Sequence, residues 1–231
     1  MRMEMQNQEN WRALIQCVDD VLAEDVALKA RIPSLPNRPW NVLDIGCHTG
    51  GLLEAIQARR GWTNISVNGV EPLKLARQKA IQKFPNGCFF EKLEQVPPQS
   101  MDLVVSHETL YLIDSLEDFS NQLMRILRPD GGAFIALGSH AENTAWMRWR
   151  APLREKYGHV SYAHQPMDIQ RIGEEAGFDV DVRQLHPPSR TKPKRYNPPE
   201  DGWGEFLSTK EMLEHREQKL VFGFWPKSLA R

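Results

Sequence analysis

The sequence predicts a doubly wound α/β domain, a mostly parallel sheet with helices on both faces. Three observations predict it. Short apolar runs alternate with helix-like stretches along most of the chain, as in a parallel sheet covered on both sides. The first apolar run passes through an acidic residue into a glycine-punctuated turn and then a helix, Asn41-Val42-Leu43-Asp44-Ile45-Gly46-Cys47-His48-Thr49-Gly50-Gly51. The 231 residues are enough for one domain with a core of its own.

Residues Gln8 to Arg31 read as an amphipathic helix, because Trp11, Leu14, Ile15, Val18, Val21, Leu22 and Leu28 recur near helical spacing. Pro33, Pro36 and Pro39 end it and lead into the first strand. After the glycine turn come a helix over Leu52–Arg60, a strand over Ile65–Val70 and a helix over Leu73–Phe84. Pro85-Asn86-Gly87 is a turn signal before a short third strand, Cys88–Phe90. Met101–Ser106 is the fourth strand and Leu116–Leu127 the next helix, closed by an expected turn at Arg128-Pro129-Asp130-Gly131-Gly132. Ala133–Leu137 is the fifth strand, followed by a helix at Pro166–Ala176 and strands at Phe178–Leu185 and Lys219–Phe224. A Pro-rich insert, His186–Gly204, and a polar helix at Lys210–Gln218 separate the last two strands. Such a long irregular insert in a compact domain is often functional.

Composition narrows the function classes. A net charge of −1 and a pI of about 6.7 give no global argument for nucleic acid or an anionic membrane. No apolar run approaches the roughly 20 residues needed to span a bilayer, and the first residues lack a secretory pattern. Cys17, Cys47 and Cys88 form neither a disulfide framework nor a zinc pattern, so a reducing cytoplasm is expected. His159 and His164 have no partner at ligand spacing, and no metal is expected.

Glycines in the turn admit positive φ and a close ligand, while the helix behind presents unpaired N–H groups. Asp44 decides which ligand. A carboxylate there repels a pyrophosphate and favours a ligand carrying positive charge. The pattern resembles motif I of the class I S-adenosylmethionine-dependent methyltransferases, commonly D-x-G-x-G-x-G, with His48 in place of the middle glycine. The likeness runs from about Trp40 to Ala136, and the last two strands fit that family's antiparallel hairpin.

The resemblance implies a seven-stranded sheet in the order 3-2-1-4-5-7-6 with the last strand antiparallel, and an N-terminal capping helix. It implies one methyltransferase domain, with a helical cap over 1–39, a cofactor-binding core over 40–138, and a substrate lid, insert and hairpin over 139–231. S-adenosyl-L-methionine is the implied cofactor. Asp44, Gly46, Cys47, His48 and Gly50 would bind it through the turn, Glu71 and Pro72 at the ribose, and Lys92 and Leu93 over the adenine, with Ser106 at the end of the fourth strand. His48 either contacts the cofactor or substrate or turns its ring to solvent.

Methyl transfer from a sulfonium asks mainly for alignment, and for a base only where the nucleophile must lose a proton. His107, Glu108 and His140 follow the fourth and fifth strands, where ligands bind in open α/β sheets, and His107 is the preferred base. The alternative is that His107 packs beneath the cofactor or caps a turn. Trp146, Trp149 and Tyr162, with Met147 and Tyr157, read either as a lid over an apolar or ring-bearing substrate or as helix packing, and Tyr111 either orients a substrate or fills the core. Trp11 joins the pocket if the first helix caps it. Arg148, Arg150 and Arg154, and the basic segment Arg190–Tyr196, are anion contacts or solvated surface.

The expected function is methylation of an oxygen or nitrogen of a small molecule. An RNA or protein methyltransferase is the rival, although Ser106-His107-Glu108-Thr109 lacks the Asn/Asp-Pro-Pro-aromatic motif of nucleic-acid base methylases. A non-catalytic cofactor-binding module of the same fold is a third reading.

Overall fold

The computed structural model describes residues 2–24, 39–58, 64–158, 160–185, 210 and 218–227. Within them the chain forms α1 (Arg2–Glu24), β1 (Trp40–Ile45), α2 (Gly51–Gln57), β2 (Ile65–Val70), α3 (Lys74–Lys83) and β3 (Cys88–Phe90). There follow β4 (Met101–His107), α4 (Leu116–Ile126), β5 (Leu127–Leu137), α5 (Thr144–Tyr157), α6 (Pro166–Glu175), β6 (Phe178–Gln184) and β7 (Leu220–Pro226). The strands make one seven-stranded sheet in the order β3-β2-β1-β4-β5-β7-β6. β1 through β5 pair in parallel, and β7 runs antiparallel to both of its neighbours. Fold class, strand order and the antiparallel last strand are those expected from the sequence.

The central strands are buried on both faces, which is why they read as continuous apolar runs rather than as alternation. Successive residues nevertheless serve opposite layers. Val42, Leu103, Val105 and Phe134 pack with Leu14, Val18 and Leu53 from α1 and α2. Leu43, Val104 and Ile135 pack with Phe119, Leu123 and Ile169 from α4 and α6. Helix α4 starts at Ser115, whose hydroxyl accepts the Asp118 N–H at 3.0 Å, a cap worth about 1 kcal/mol.

Three expectations are corrected. α1 begins at Arg2, well before Gln8, and its expected continuation through Leu28 to Arg31 lies outside the described residues. The turn expected at Arg128–Gly132 is part of β5. Leu127 pairs with Met101 and Gly132 with Leu103, so the residues between are looped out of register and the strand resumes. Pro129 has no N–H to give a ladder, and expelling it as a bulge lets pairing continue on either side. Short 3-10 turns at Leu93–Gln95 and Leu110–Leu112 were not expected. The insert 186–209, with its basic segment, and residues 211–217 of the expected polar helix lie outside the described residues, as does His159. No helix among the described residues is long and apolar enough to cross a membrane.

Candidate functional site

The parallel strands bring their carboxyl ends to one edge of the sheet, and the sequence-expected residues collect there in two groups. The first surrounds the turn after β1. Gly46 and Cys47 donate their N–H groups to the Val70 carbonyl at 2.8 and 3.1 Å, which seats the turn on the end of β2. Gly46 and Gly50 have φ of +78° and +79°, where side chains are strained. A side chain at Gly46 would also collide with Thr109, so the loop after β4 presses directly on this turn. His48 holds φ +47° without being glycine, and its ring is exposed. Its backbone N–H donates to Glu71 Oε2 at 2.9 Å, while Glu71 Oε1 accepts the Leu73 N–H at 2.8 Å.

Asp44 and Glu71 are both buried, at 3% and 5% exposure. Burial, and then the neighbouring charge of Glu71, push the Asp44 carboxyl well above the usual carboxylate range. Among the described residues no donor hydrogen-bonds the Asp44 carboxylate, and no lysine or arginine pairs with either acid. An unpartnered buried carboxylate beside a second one favours a cationic ligand with its own donors. The residues therefore fit a sulfonium- and ammonium-bearing cofactor. The Cys47 thiol, also buried, is pushed up by burial and by Asp44 and Glu71, so it is no thiolate nucleophile.

Arg77 on α3 braces the neighbouring loop, donating to the Glu71 and Pro72 carbonyls and pairing with Glu91 at 3.0 Å. Gln95 Oε1 accepts the N–H groups of Glu91 and Lys92, and Arg125 donates to the Leu93 carbonyl at 3.0 Å. The segment that carries Lys92 and Leu93 is thus fixed from both sides, with Lys92 itself exposed. Ser106 spends its hydroxyl on the Ile45 carbonyl at 2.8 Å, stitching β4 to β1.

The second group gathers at the ends of β4 and β5 and the start of β7. Glu108, at φ +55°, accepts the Gly138 N–H at 3.0 Å and the Ser139 hydroxyl at 2.9 Å. Lys219, just before β7, pairs with Glu108 Oε1 at 2.5 Å and stands 3.3 Å from His107 Nε2. Burial alone would raise the Glu108 carboxyl, but Lys219, His107 and the hydrogen bonds from Lys219 and Ser139 outweigh it and hold it at about 2. Burial first, and the Lys219 ammonium second, push the His107 imidazole down to about 3 against the pull of Glu108. An imidazole so held is a poor proton acceptor at neutral pH, and Glu108 has both carboxylate oxygens engaged.

Around this clamp lies an aromatic shell. The Tyr111 and Trp146 rings are 4.8 Å apart, the Tyr162 N–H donates to the Tyr111 carbonyl at 2.7 Å, and Tyr162 stacks on His164. Burial and then Glu108 push the Tyr111 phenol up to about 12. Asn143 caps α5 through the Trp146 N–H and donates to the Gly138 carbonyl at 2.7 Å, so the β5 loop positions Trp146. His140 is fully buried; its Nε2 donates to the Gln218 carbonyl at 2.6 Å, leaving Nδ1 as an acceptor. That Nδ1 and Trp146 Nε1 are buried with no hydrogen-bond partner among the described residues.

Trp11 stands apart from this shell. It packs on Gly51 at the start of α2 and lines a groove of about 410 Å³ between α1 and α2. Trp149 is half-buried on α5, and the Tyr157 side chain lies outside the described residues. His164 Nε2 donates to the Ile113 carbonyl at 2.8 Å, and no His, Cys, Asp and Glu cluster among the described residues suits a metal. Sequence reading missed Lys219, Ser139, Thr109 and Arg77. Lys219 is 112 positions from His107 and gives no local signal.

The methyltransferase-domain family matches residues 17–182, more than half of the chain. The chain belongs to that family. Its fold is similar to a chain of the complex between the Haloferax volcanii Trm112 methyltransferase activator and a methyltransferase, at 18% identity over 94% of this chain and 97% of that one, with a TM-score of 0.67. It is similar to an S-adenosylmethionine-dependent methyltransferase from Mesorhizobium loti, at 15% identity over 86% and 95% of the two chains, with a TM-score of 0.59. It is also similar to Haemonchus contortus phosphoethanolamine N-methyltransferase 2 solved with S-adenosyl-L-methionine, at 16% identity over 87% of this chain and 51% of that one, with a TM-score of 0.58. At such identities the likeness shows the fold. No curated protein matches the sequence. Family and fold together uphold the class I S-adenosylmethionine-dependent resemblance.

Proposed function

We propose that this methyltransferase moves the methyl group of S-adenosyl-L-methionine to an oxygen or nitrogen of a small molecule bound at the carboxyl ends of β4 and β5. The observation that carries the proposal is the aromatic cluster of Tyr111, Trp146 and Tyr162, together with the buried His140 Nδ1 and Trp146 Nε1, which have no hydrogen-bond partner among the described residues. Buried polar atoms of that kind cost about 1–3 kcal/mol when left unpaired, so an acceptor molecule bearing its own polar group is favoured there.

The glycine turn with Asp44, Gly46, Cys47, His48 and Gly50 would hold the cofactor at its charged end. Glu71 and Pro72 would take the ribose, and Lys92 and Leu93 the adenine edge. Ser106 supports the turn from below. When bound, S-adenosyl-L-methionine supplies an electrophilic methyl group. The protein supplies alignment, exclusion of water by the aromatic shell, and fixed polar groups from His140 and Trp146. Tyr111 orients the acceptor through its ring. Where an acceptor must lose a proton, His140 Nδ1 is the imidazole lone pair left open, because Lys219 occupies that of His107. His107 and Glu108 would then shape the site. Trp11 and Trp149 stand further out and would act through helix placement.

The test is transfer of labelled methyl from S-adenosyl-L-methionine to pools of small amines, carboxylic acids and phenols, beside parallel pools of RNA and protein. Label in a small-molecule pool is expected. Label confined to RNA or protein would overturn the substrate class, and a folded protein that binds no cofactor would overturn the enzyme reading.

A further inference from the structure

His107 sits between two groups of opposite charge, and its hydrogen bonding is determined by which one touches it. Lys219 Nζ is 3.3 Å from His107 Nε2. An ammonium has three donors and no acceptor, so the imidazole must accept at Nε2. The ring proton is then on Nδ1. Protonating the ring would put two cations in contact at a half-buried position, which disfavours the doubly protonated form. Lys219 is itself held. Its side chain is 16% exposed, and it pairs with Glu108, which the Gly138 N–H and the Ser139 hydroxyl fix from β5. Among the described residues the charged and polar groups facing His107 are therefore Glu108 beside it, Lys219 just before β7, and Ser139 just after β5 through Glu108. The Tyr111 phenol is close enough to Glu108 to feel its charge.

We propose that Lys219 is a positioning residue that locks His107 as a neutral imidazole with its proton on Nδ1, so that His107 offers the methyl acceptor a hydrogen-bond donor and never a base. This deepens the proposed function and rests on it. It restricts the acceptors served at His107 to those whose nucleophilic atom needs no proton removed before attack, such as a carboxylate or an unprotonated amine. Burial and the neighbouring ammonium act in the same direction on the ring, which supports the lock.

The lock is read directly by nitrogen–proton NMR of the full chain labelled with [15N]histidine, followed between about pH 5 and 8. His107 signals are identified by their loss in His107→Gln. In the wild type, Nδ1 is expected protonated and Nε2 bare throughout, with no titration. Lys219→Met should raise the His107 titration midpoint and release the fixed tautomer, because Glu108 is then opposed by burial alone. Lys219→Arg should restore the fixed tautomer. A wild-type His107 that titrates in this range, or that carries its proton on Nε2, overturns the proposal; so does a Lys219→Met protein with unchanged signals. The wild-type readout needs no variant to fold. It needs no cofactor either, so a failed cofactor titration on the same sample would count against the proposed function and not against the lock.

Discussion

The two halves of the site bury acids under opposite conditions. At the ends of β1 and β2, Asp44 and Glu71 lie together and, among the described residues, no cation pairs with either; Glu71 is steadied by two backbone N–H groups. At the ends of β4 and β5, Glu108 is satisfied completely by Lys219, Gly138 and Ser139. The first half leaves a net demand for positive charge. The second pairs its acid with Lys219 and, among the described residues, leaves His140 Nδ1 and Trp146 Nε1 without a hydrogen-bond partner. In the proposed function the contrast corresponds to a cationic cofactor held in the first half and an acceptor recognised by shape and hydrogen bonds in the second.

The largest effect is expected where the halves touch. Gly46→Val puts a β-branched residue at φ +78° and drives it into Thr109, so a loss of about 3 kcal/mol in urea unfolding is expected. A variant of wild-type stability would mean that the turn and the β4 loop are not packed as described.

Next comes the pH dependence of the clamp. The folded pKa of His107, about 3, lies below its ordinary value, so stability linked to it is full above about pH 6.5 and is lost as pH falls toward 3. Glu108, at about 2, also lies below its ordinary value; its contribution is full above about pH 4.5 and is lost as pH falls through 2. Urea unfolding at stepped pH should show stability falling on acidification through both windows. In Lys219→Met the fall should be smaller, since both shifts depend on that ammonium. An identical acid profile in the variant would remove Lys219 from the clamp.

A smaller effect is expected in the aromatic shell. Trp146→Phe keeps a ring against Tyr111 but removes Nε1–H. The change in stability should stay near 1 kcal/mol, while KM for the acceptor rises and cofactor affinity holds. A rise in the cofactor dissociation constant instead would place Trp146 in the wrong half.

The same division explains what could be read from the sequence. The β1 turn and Glu71 are legible because they are local: a strand, an acid and glycines at fixed spacing, then an acid at the end of the next strand. Ordinary periodicity reproduces β2 and β3 to the residue. The clamp is illegible because Lys219 is 112 positions from His107 in sequence and precedes β7, which lies across β5 from β4, and no local pattern marks it. His107 was expected as the base from its place after β4. His107 is the last residue of β4, and the ammonium that adds to burial in holding its ring neutral comes from the residue just before β7. The bulge in β5 was missed for a related reason. Arg128-Pro129-Asp130-Gly131-Gly132 has turn composition, and only the register against β4 shows pairing on both sides of it.

Calorimetric titration of S-adenosyl-L-methionine into the wild type, Glu71→Ala and Lys219→Met tests the division most directly. The wild type should bind, and Glu71→Ala should bind about tenfold more weakly or worse, through loss of charge-assisted hydrogen bonds. Lys219→Met should match the wild type. Equal losses in both variants, or no loss in Glu71→Ala, would contradict the assignment of cofactor and acceptor to separate halves.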